Sequence, residues 1–239
     1  MQWPEVVIFD CDGVLVDSEL IALGQTRAAL DAAGLSLTHD QATEKFLGLS
    51  LDSIIEKVEC DLNVALPANF RADLSREILG RFTAELKGIA GVREAVEGLS
   101  CRVCVASSSP LERIRRALSL TGYDALFEPN IFSASMASRG KPHPDLFLYA
   151  ARQMGAEPRQ CLVIEDSAAG VTAAVSAGMA VFGFVGGSHL GGASHSERLS
   201  SAGASVIFNA MGQLPAIVAR HSSASRVEAS SGAIHMKTS

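Results

Sequence analysis

Several features that would place this chain in a broad class at once are missing from it. No run of Lys and Arg offsets the formal net charge of -6, which argues against nucleic acid as a partner. No apolar run reaches bilayer-spanning length, because charged and small polar residues interrupt every one, so no membrane association is expected. Met1 leads into a core strand with no basic stretch or cleavage site. No signal peptide is therefore expected, and the cytoplasm is the expected compartment. No internal repeat is visible. The cysteines form no framework: Cys11, Cys60, Cys101, Cys104 and Cys161 are odd in number and scattered. Cys101 and Cys104 have the spacing of a redox motif, but they lead into an apolar strand, where residues three apart point to opposite faces. No second pair or clustered His completes a zinc site, so buried reduced thiols are expected.

What is present is material for a core. Hydrophobic residues make up 48% of the 239 and charged residues 19%, enough for one large domain or a core with a smaller insert. The stretch around which the rest is organised is Val6-Val7-Ile8-Phe9-Asp10-Cys11-Asp12-Gly13. Val6 to Phe9 lack polar alternation, as in a strand buried on both faces of a parallel sheet. The run stops at Asp10, with Asp12 two residues on and Gly13 behind it to permit a tight turn. Open α/β sheets place ligands at the carboxyl ends of their strands. One carboxylate there could be a turn residue or a cap. Two, flanking a single residue, are costly to hold together unless a cation or bound substrate offsets their repulsion. Asp10 and Asp12 are therefore read as the centre of a metal-assisted site.

After Asp17 the hydrophobic period changes. Ser18 is placed to cap a helix that stops at Gly34, and further helices are expected over Thr38–Phe46, Ser50–Val58 and Pro67–Leu86. An all-helical block after the first strand of an α/β sheet is a second domain, residues 17–87, set beside the carboxylates as a cap. The segment Lys87 to Val92 is the return hinge. Strands are then expected over Arg102–Ala106, Ile131–Ser133, Cys161–Ile164, Met179–Phe184 and Val206–Phe208. They alternate with helices over Val92–Leu99, Leu111–Leu120, Pro144–Met154, Ala168–Ala177 and Met211–Ala219. That order implies right-handed crossovers and a doubly wound parallel sheet, with 1–16 and 88–220 forming the core domain. The Ser/Ala-rich stretch 221–239 has little to bury and reads as a disordered tail.

The other strand ends also carry polar groups. Arg102–Ala106 runs into Ser107-Ser108-Ser109 ahead of a helix, hydroxyls and N–H groups suited to phosphate. Cys161–Ile164 runs into Glu165-Asp166, with Ser167 to cap the next helix. Between them, Pro142 and Pro144 fix the backbone around Lys141, which can present a point charge at a defined position. Each of these, alone, could be a cap or a solvated charge. Together with Asp10 and Asp12, in this order and each at a strand end or beside one, they are much harder to ascribe to chance.

Asp10-Cys11-Asp12-Gly13-Val14-Leu15-Val16-Asp17-Ser18-Glu19, then Ser107, then Lys141-Pro142-His143-Pro144-Asp145, then Ile164-Glu165-Asp166-Ser167 resemble the four motifs of the haloacid dehalogenase superfamily. The helical insert resembles its C1-capped phosphatase and β-phosphoglucomutase branch. The resemblance covers residues 5–220 and implies a Rossmann-like core with an inserted α-helical cap. It further implies Asp10 as nucleophile, forming an aspartyl-phosphate, and Asp12 as general acid and base. Mg²⁺ is the implied cofactor, with Asp10, Asp166 and the Asp12 carbonyl as ligands and Glu165 as a ligand or a group just behind them. Ser107, the Ser108 N–H and Lys141 would hold phosphoryl oxygens. Specificity would lie in the cap, around Glu44-Lys45-Phe46-Leu47-Gly48 and on Ser18–Ile21, with Gly48 and Glu19 as substrate contacts. The loop with His189 is also similar to this branch, and His189 reads as a rim residue without assigned chemistry.

The implied activity is a phosphatase acting on a small phosphorylated metabolite such as a sugar or sugar-acid phosphate. A dehalogenase needs neither the metal nor Asp12, a phosphonatase lacks an acid at Asp12, and a non-catalytic metal-binding module has no use for Ser107 and Lys141. A sugar-phosphate mutase shares every core residue. It must also bind a distal phosphate, and where the mutases carry Lys, Arg and His this chain has Leu47, Leu51 and Ala22. Each charged contact so lost is worth roughly 1.5–3 kcal/mol, which favours the hydrolase. Oligomeric state is not legible.

Overall fold

The computed structural model describes residues 3–46, 49–189 and 193–222. Its centre is β1 (Val6–Phe9), four residues with no exposed surface. β1 pairs in parallel with β2 (Arg102–Ser107) on one side and β4 (Cys161–Glu165) on the other. With β3 (Ile131–Ser133), β5 (Ala180–Phe184) and β6 (Val206–Phe208) they make a six-stranded parallel sheet, ordered β3-β2-β1-β4-β5-β6. The order reverses between β1 and β4, which sets the crevice at the ends of β1, β2 and β4.

Alternate residues of each strand sort onto two faces. Val7, Phe9, Val105, Leu162, Ile164 and Phe182 share one apolar cluster, and Val6, Ile8, Cys104, Ala106, Val163 and Val181 share the other. The first cluster is continuous with the apolar side of the helices inserted after β1. These are α1 (Glu19–Ala32), α2 (His39–Phe46), α3 (Leu51–Glu56), a π turn (Lys57–Asp61) and α4 (Phe70–Glu85). Thr38 caps α2 reciprocally: its Oγ1 accepts from Gln41 N at 3.2 Å, and its N–H donates to the Gln41 amide oxygen at 2.9 Å. The chain enters and leaves this insert side by side. Asp17 N donates to Lys87 O and Ile89 N to Leu15 O, both at 2.9 Å, with an antiparallel bridge between Val16 and Gly88.

The remaining helices are α5 (Val92–Glu97), α6 (Leu111–Thr121), α7 (Asp124–Phe127), α8 (Asp145–Gln153), α9 (Ala168–Ser176) and α10 (Ala193–Ala202). A last helix covers 214–222. α7 and α10 add to the elements expected from sequence. α7 buries only Phe127, and of the described side chains of α10 only Leu199 is fully buried, so neither shows a helical period. Residues 223–239 of the expected tail lie outside the described residues. All five cysteines are unpaired; Cys11, Cys104 and Cys161 are buried as expected, whereas Cys60 is exposed and Cys101 half-buried.

Candidate active site

Strand ends bring the sequence-predicted groups together. β1 delivers Asp10, whose N–H extends the β1–β4 ladder by donating to Ile164 O at 3.0 Å. β2 ends in Ser107 and β4 in Glu165, with Asp166 next; all four are buried. Lys141 reaches in from the loop before α8, with a side chain only 5% exposed. Its Nζ donates to Asp10 Oδ1 at 2.5 Å, Glu165 Oε1 at 2.7 Å and Ala106 O at 3.2 Å, and lies 4.9 Å from the centre of the Phe147 ring. Burial alone would push the Lys141 ammonium to lose its proton, but the Asp10 and Glu165 charges outweigh that and raise its pKa.

The carboxylates outnumber this cation. Burial lifts Asp10 well above the ordinary carboxylate range. Lys141 only partly opposes that, and Glu165, Asp166 and Asp12 add to it. Burial likewise lifts Asp166, reinforced by the charges of Glu165 and Glu19. Asp12 is the contrast. Burial raises it, yet the Arg113 guanidinium and hydrogen bonds from Ser18 and Ser109 win, leaving its pKa below the ordinary value. Asp12 Oδ1 accepts from Ser18 Oγ at 2.5 Å and an Arg113 terminal nitrogen at 2.9 Å, and Oδ2 from Ser109 Oγ at 2.7 Å and Ser107 Oγ at 3.5 Å.

Several placements differ from the sequence reading. Ser18 stands at the N-cap of α1 but makes no capping bond, because its hydroxyl is spent on Asp12. His189 is not at the rim. Its side chain is 3% exposed, with Nε2 3.1 Å from Asp166 Oδ2, and burial lowers its pKa. The loop carrying it is pinned by Asp17, whose Oδ1 accepts from Ser188 N at 3.1 Å and Ser188 Oγ at 2.9 Å. Gly13, at φ +79°, leaves the room these groups occupy: a Cβ there would collide with the Asp166 carboxylate and with His189 Cε1. Ser108 is exposed, while its neighbour Ser109 makes the contact with Asp12. Glu19 opens α1, and its charge acts on Arg113, Asp166 and His189. Gly48 and Leu47 lie outside the described residues. Ser109 stood out in sequence only as part of the Ser107-Ser108-Ser109 run, and Arg113 and His195 carried no signal of their own. His195 Nε2 lies 2.6 Å from Asp166 O.

Among the described residues, no three His, Cys, Asp or Glu side chains converge as a preformed metal shell. Asp10 and Glu165 turn to Lys141, Asp166 to His189 and Asp12 to Arg113. The donor chemistry nonetheless fits a hard divalent cation. Buried carboxylate oxygens are in excess of their cations, and the charges of neighbouring carboxylates add to burial in raising Asp10 and Asp166.

The chain is 31% identical over 186 residues to the 6-phosphogluconate phosphatase of Escherichia coli K12, spanning 77% of this chain and 84% of that protein. It is 27% identical over 192 residues to the β-phosphoglucomutase of Bacillus subtilis, spanning 75% and 82%. A haloacid dehalogenase-like protein of Agrobacterium tumefaciens has the same fold, with a TM-score of 0.79 and 37% identity over 91% of this chain and 98% of that one. Residues 4–178 match the family of haloacid dehalogenase-like hydrolases. The chain, whose parallel sheet gathers Asp10, Ser107, Lys141 and Asp166 at one edge, belongs to the family of haloacid dehalogenase-like hydrolases.

Proposed function

We propose that the chain is a Mg²⁺-dependent phosphomonoester hydrolase acting on a small phosphorylated sugar, sugar acid or polyol through a phosphorylated Asp10. One observation carries the reading. A buried carboxylate at the end of β1 is held by Lys141, with Ser107 and a second acid, Asp12, beside it. Asp10, Asp166 and the Asp12 carbonyl would hold Mg²⁺, which when bound supplies positive charge for the phosphoryl oxygens. Glu165 is already taken by Lys141 and by Ser167, whose N and Oγ donate to Oε2 at 2.7 and 2.9 Å. It therefore orients Lys141 and the start of α9 from behind the ligands.

In the first step an Asp10 oxygen bonds to phosphorus as the bond to the leaving oxygen breaks, and Asp12 gives that oxygen a proton. Lys141 and Ser107 stabilise the charge spread over the other oxygens. In the second step Asp12 takes a proton from the water that splits the aspartyl-phosphate. The lowered pKa keeps Asp12 ionised and so available as the base, and the first role requires it to be protonated once substrate stands beside it. The helical insert 17–87, joined at the paired linkers through Asp17 and Lys87, acts as the cap that shuts the pocket from bulk water.

The mutase reading keeps one supporting fact, the likeness to the Bacillus subtilis protein. Against it, Leu51 packs its side chain into the apolar cluster of the insert, as does Ala22, so neither position presents a cation to a distal phosphate. Phosphate release with Mg²⁺ is to be measured from 6-phosphogluconate, sorbitol 6-phosphate, glucose 6-phosphate and glycerol phosphate. Release from one or more supports the hydrolase. Conversion of β-glucose 1-phosphate to glucose 6-phosphate, primed by the bisphosphate and with little free phosphate, would establish the mutase instead.

A further inference from the structure

Arg113 is a largely buried cation outside the four motifs, and it touches one of the two central acids. It projects from α6, where Glu112, Arg115 and Arg116 surround it in sequence, and its side chain is 19% exposed. One terminal nitrogen donates to Asp12 Oδ1 at 2.9 Å, and the guanidinium carbon lies 5.1 Å from the centre of the Phe82 ring on α4. Three residues on, Arg116 donates to Thr83 Oγ1 at 3.1 Å. Neighbouring positions of α6 therefore grip neighbouring residues of α4, just before the chain returns from the insert at Lys87. Among the described residues, the buried Arg113 Nε–H has no acceptor. An arginine serving only as structural cement would have that donor satisfied, since a buried unpaired donor costs free energy. What the guanidinium does have is a charged bond to Asp12 and an aromatic face belonging to the insert.

We propose that Arg113 is a positioning residue, aiming the Asp12 carboxyl at the leaving oxygen and tying that aim to the insert through Phe82. The inference rests on the phosphoryl-transfer reading of the site. Asp12 hangs from the loop after β1 by rotatable side-chain bonds, and Ser18 and Arg113 reach Oδ1 from two different elements. Ser18 belongs to the linker into the insert. Arg113 belongs to the core helix that contacts α4. Together they fix the carboxyl against both sides of the seam, a constraint that neither hydroxyl nor loop supplies alone. The planar guanidinium suits this better than an ammonium, because it bonds in its plane to a carboxylate while its face lies on a ring.

The leaving group provides the test. An alkyl phosphate must have its departing oxygen protonated, whereas 4-nitrophenyl phosphate expels a stable phenolate without help. The ratio of kcat/KM for the two esters therefore reports how well Asp12 is aimed in the first step, independently of phosphoenzyme breakdown. The alkyl ester is whichever of the four phosphorylated metabolites is turned over fastest. Arg113→Met is expected to cut kcat/KM for it by about 100-fold, in the range contributed by a positioned acid. For the aryl ester the cut is expected to be less than about tenfold. Arg113→Lys should restore part of the ratio. Phe82→Leu, which leaves the charge but removes the ring face, should shift it in the same direction by a smaller factor and serves if Arg113→Met does not fold. An equal loss on both esters, or an unchanged ratio in all three variants, would overturn the proposal. Failure of the wild-type protein to release phosphate from any ester would end the phosphoryl-transfer reading itself, and the inference with it.

Discussion

Gly170 in the first turn of α9 shows how closely the fold is built around Glu165. An ideal Cβ added there would overlap the Glu165 carboxyl group, with Oε1 and Cδ inside any real contact distance and Oε2 at 2.5 Å. Glu165 has nowhere to go. Its side chain is 1% exposed and bonds Lys141 Nζ at 2.7 Å and Ser167 N at 2.7 Å. Gly170→Ala must therefore break at least one charged hydrogen bond, each worth about 1.5–3 kcal/mol, and crowd a packed site at about 1–3 kcal/mol more. Alanine returns about 1 kcal/mol of helix propensity. The net loss is about 2–5 kcal/mol, or roughly 5–15 °C of melting temperature for a chain of this size. Gly80→Ala is the matched control. Gly80 lies in α4 with nothing within 4 Å of the added Cβ, so that variant should gain up to about 1 kcal/mol. Thermal unfolding and phosphate release of both variants decide the matter. A Gly170→Ala protein that melts within about 2 °C of the control and hydrolyses at the wild-type rate would refute the reasoning.

Chelation should abolish phosphate release and Mg²⁺ should restore it, whereas Ca²⁺, which accepts more ligands at longer distances, should inhibit; full activity in excess chelator would remove Asp166 as a ligand. Asp10 and Asp166 have raised pKa values in the fold, so their ionisation destabilises the metal-free protein above the ordinary carboxylate range, and their protonation relieves it as pH falls. His189 and His195, both lowered by burial, pull the opposite way below about pH 6.5, so the quantity to compare is the increment in melting temperature given by Mg²⁺. It should be larger at about pH 8 than at about pH 5, and an increment that grows on acidification would contradict the assignment. Native protein should show one fast thiol, Cys60, because burial raises the pKa values of Cys11, Cys101, Cys104 and Cys161, the last to about 11. Rapid labelling of Cys104 in folded protein, located by peptide mapping, would show the sheet to open more readily than its complete burial implies.

The central strands and their polar ends were legible because each is local. An apolar run that stops at Asp10, Ser107 or Glu165 announces both the strand and the edge of the sheet where ligands bind. The expected strand limits fall within one residue of β1 to β6, with β1, β3 and β6 identical. What escaped is what only tertiary contact decides. Arg113 sits 101 residues from Asp12 among other charges on an amphipathic helix, where a solvated role reads the same. Ser18 has the position and chemistry of an N-cap, and nothing in its neighbours says that Asp12 takes its hydroxyl instead. His189 is surrounded by Gly186, Gly187 and Ser188, which read as surface loop. Its burial comes from Asp17 drawing that loop down over Gly13.

The most direct test of the account is to find the phosphoryl group on the protein. Enzyme caught during turnover by rapid acid quench is reduced with borohydride, which converts an aspartyl-phosphate to homoserine, and the chain is mapped by mass spectrometry. Homoserine at position 10, absent without substrate and absent in Asp10→Asn, is the predicted result. Turnover at the wild-type rate in Asp10→Asn, or a modified residue elsewhere with Asp10 untouched, would contradict it.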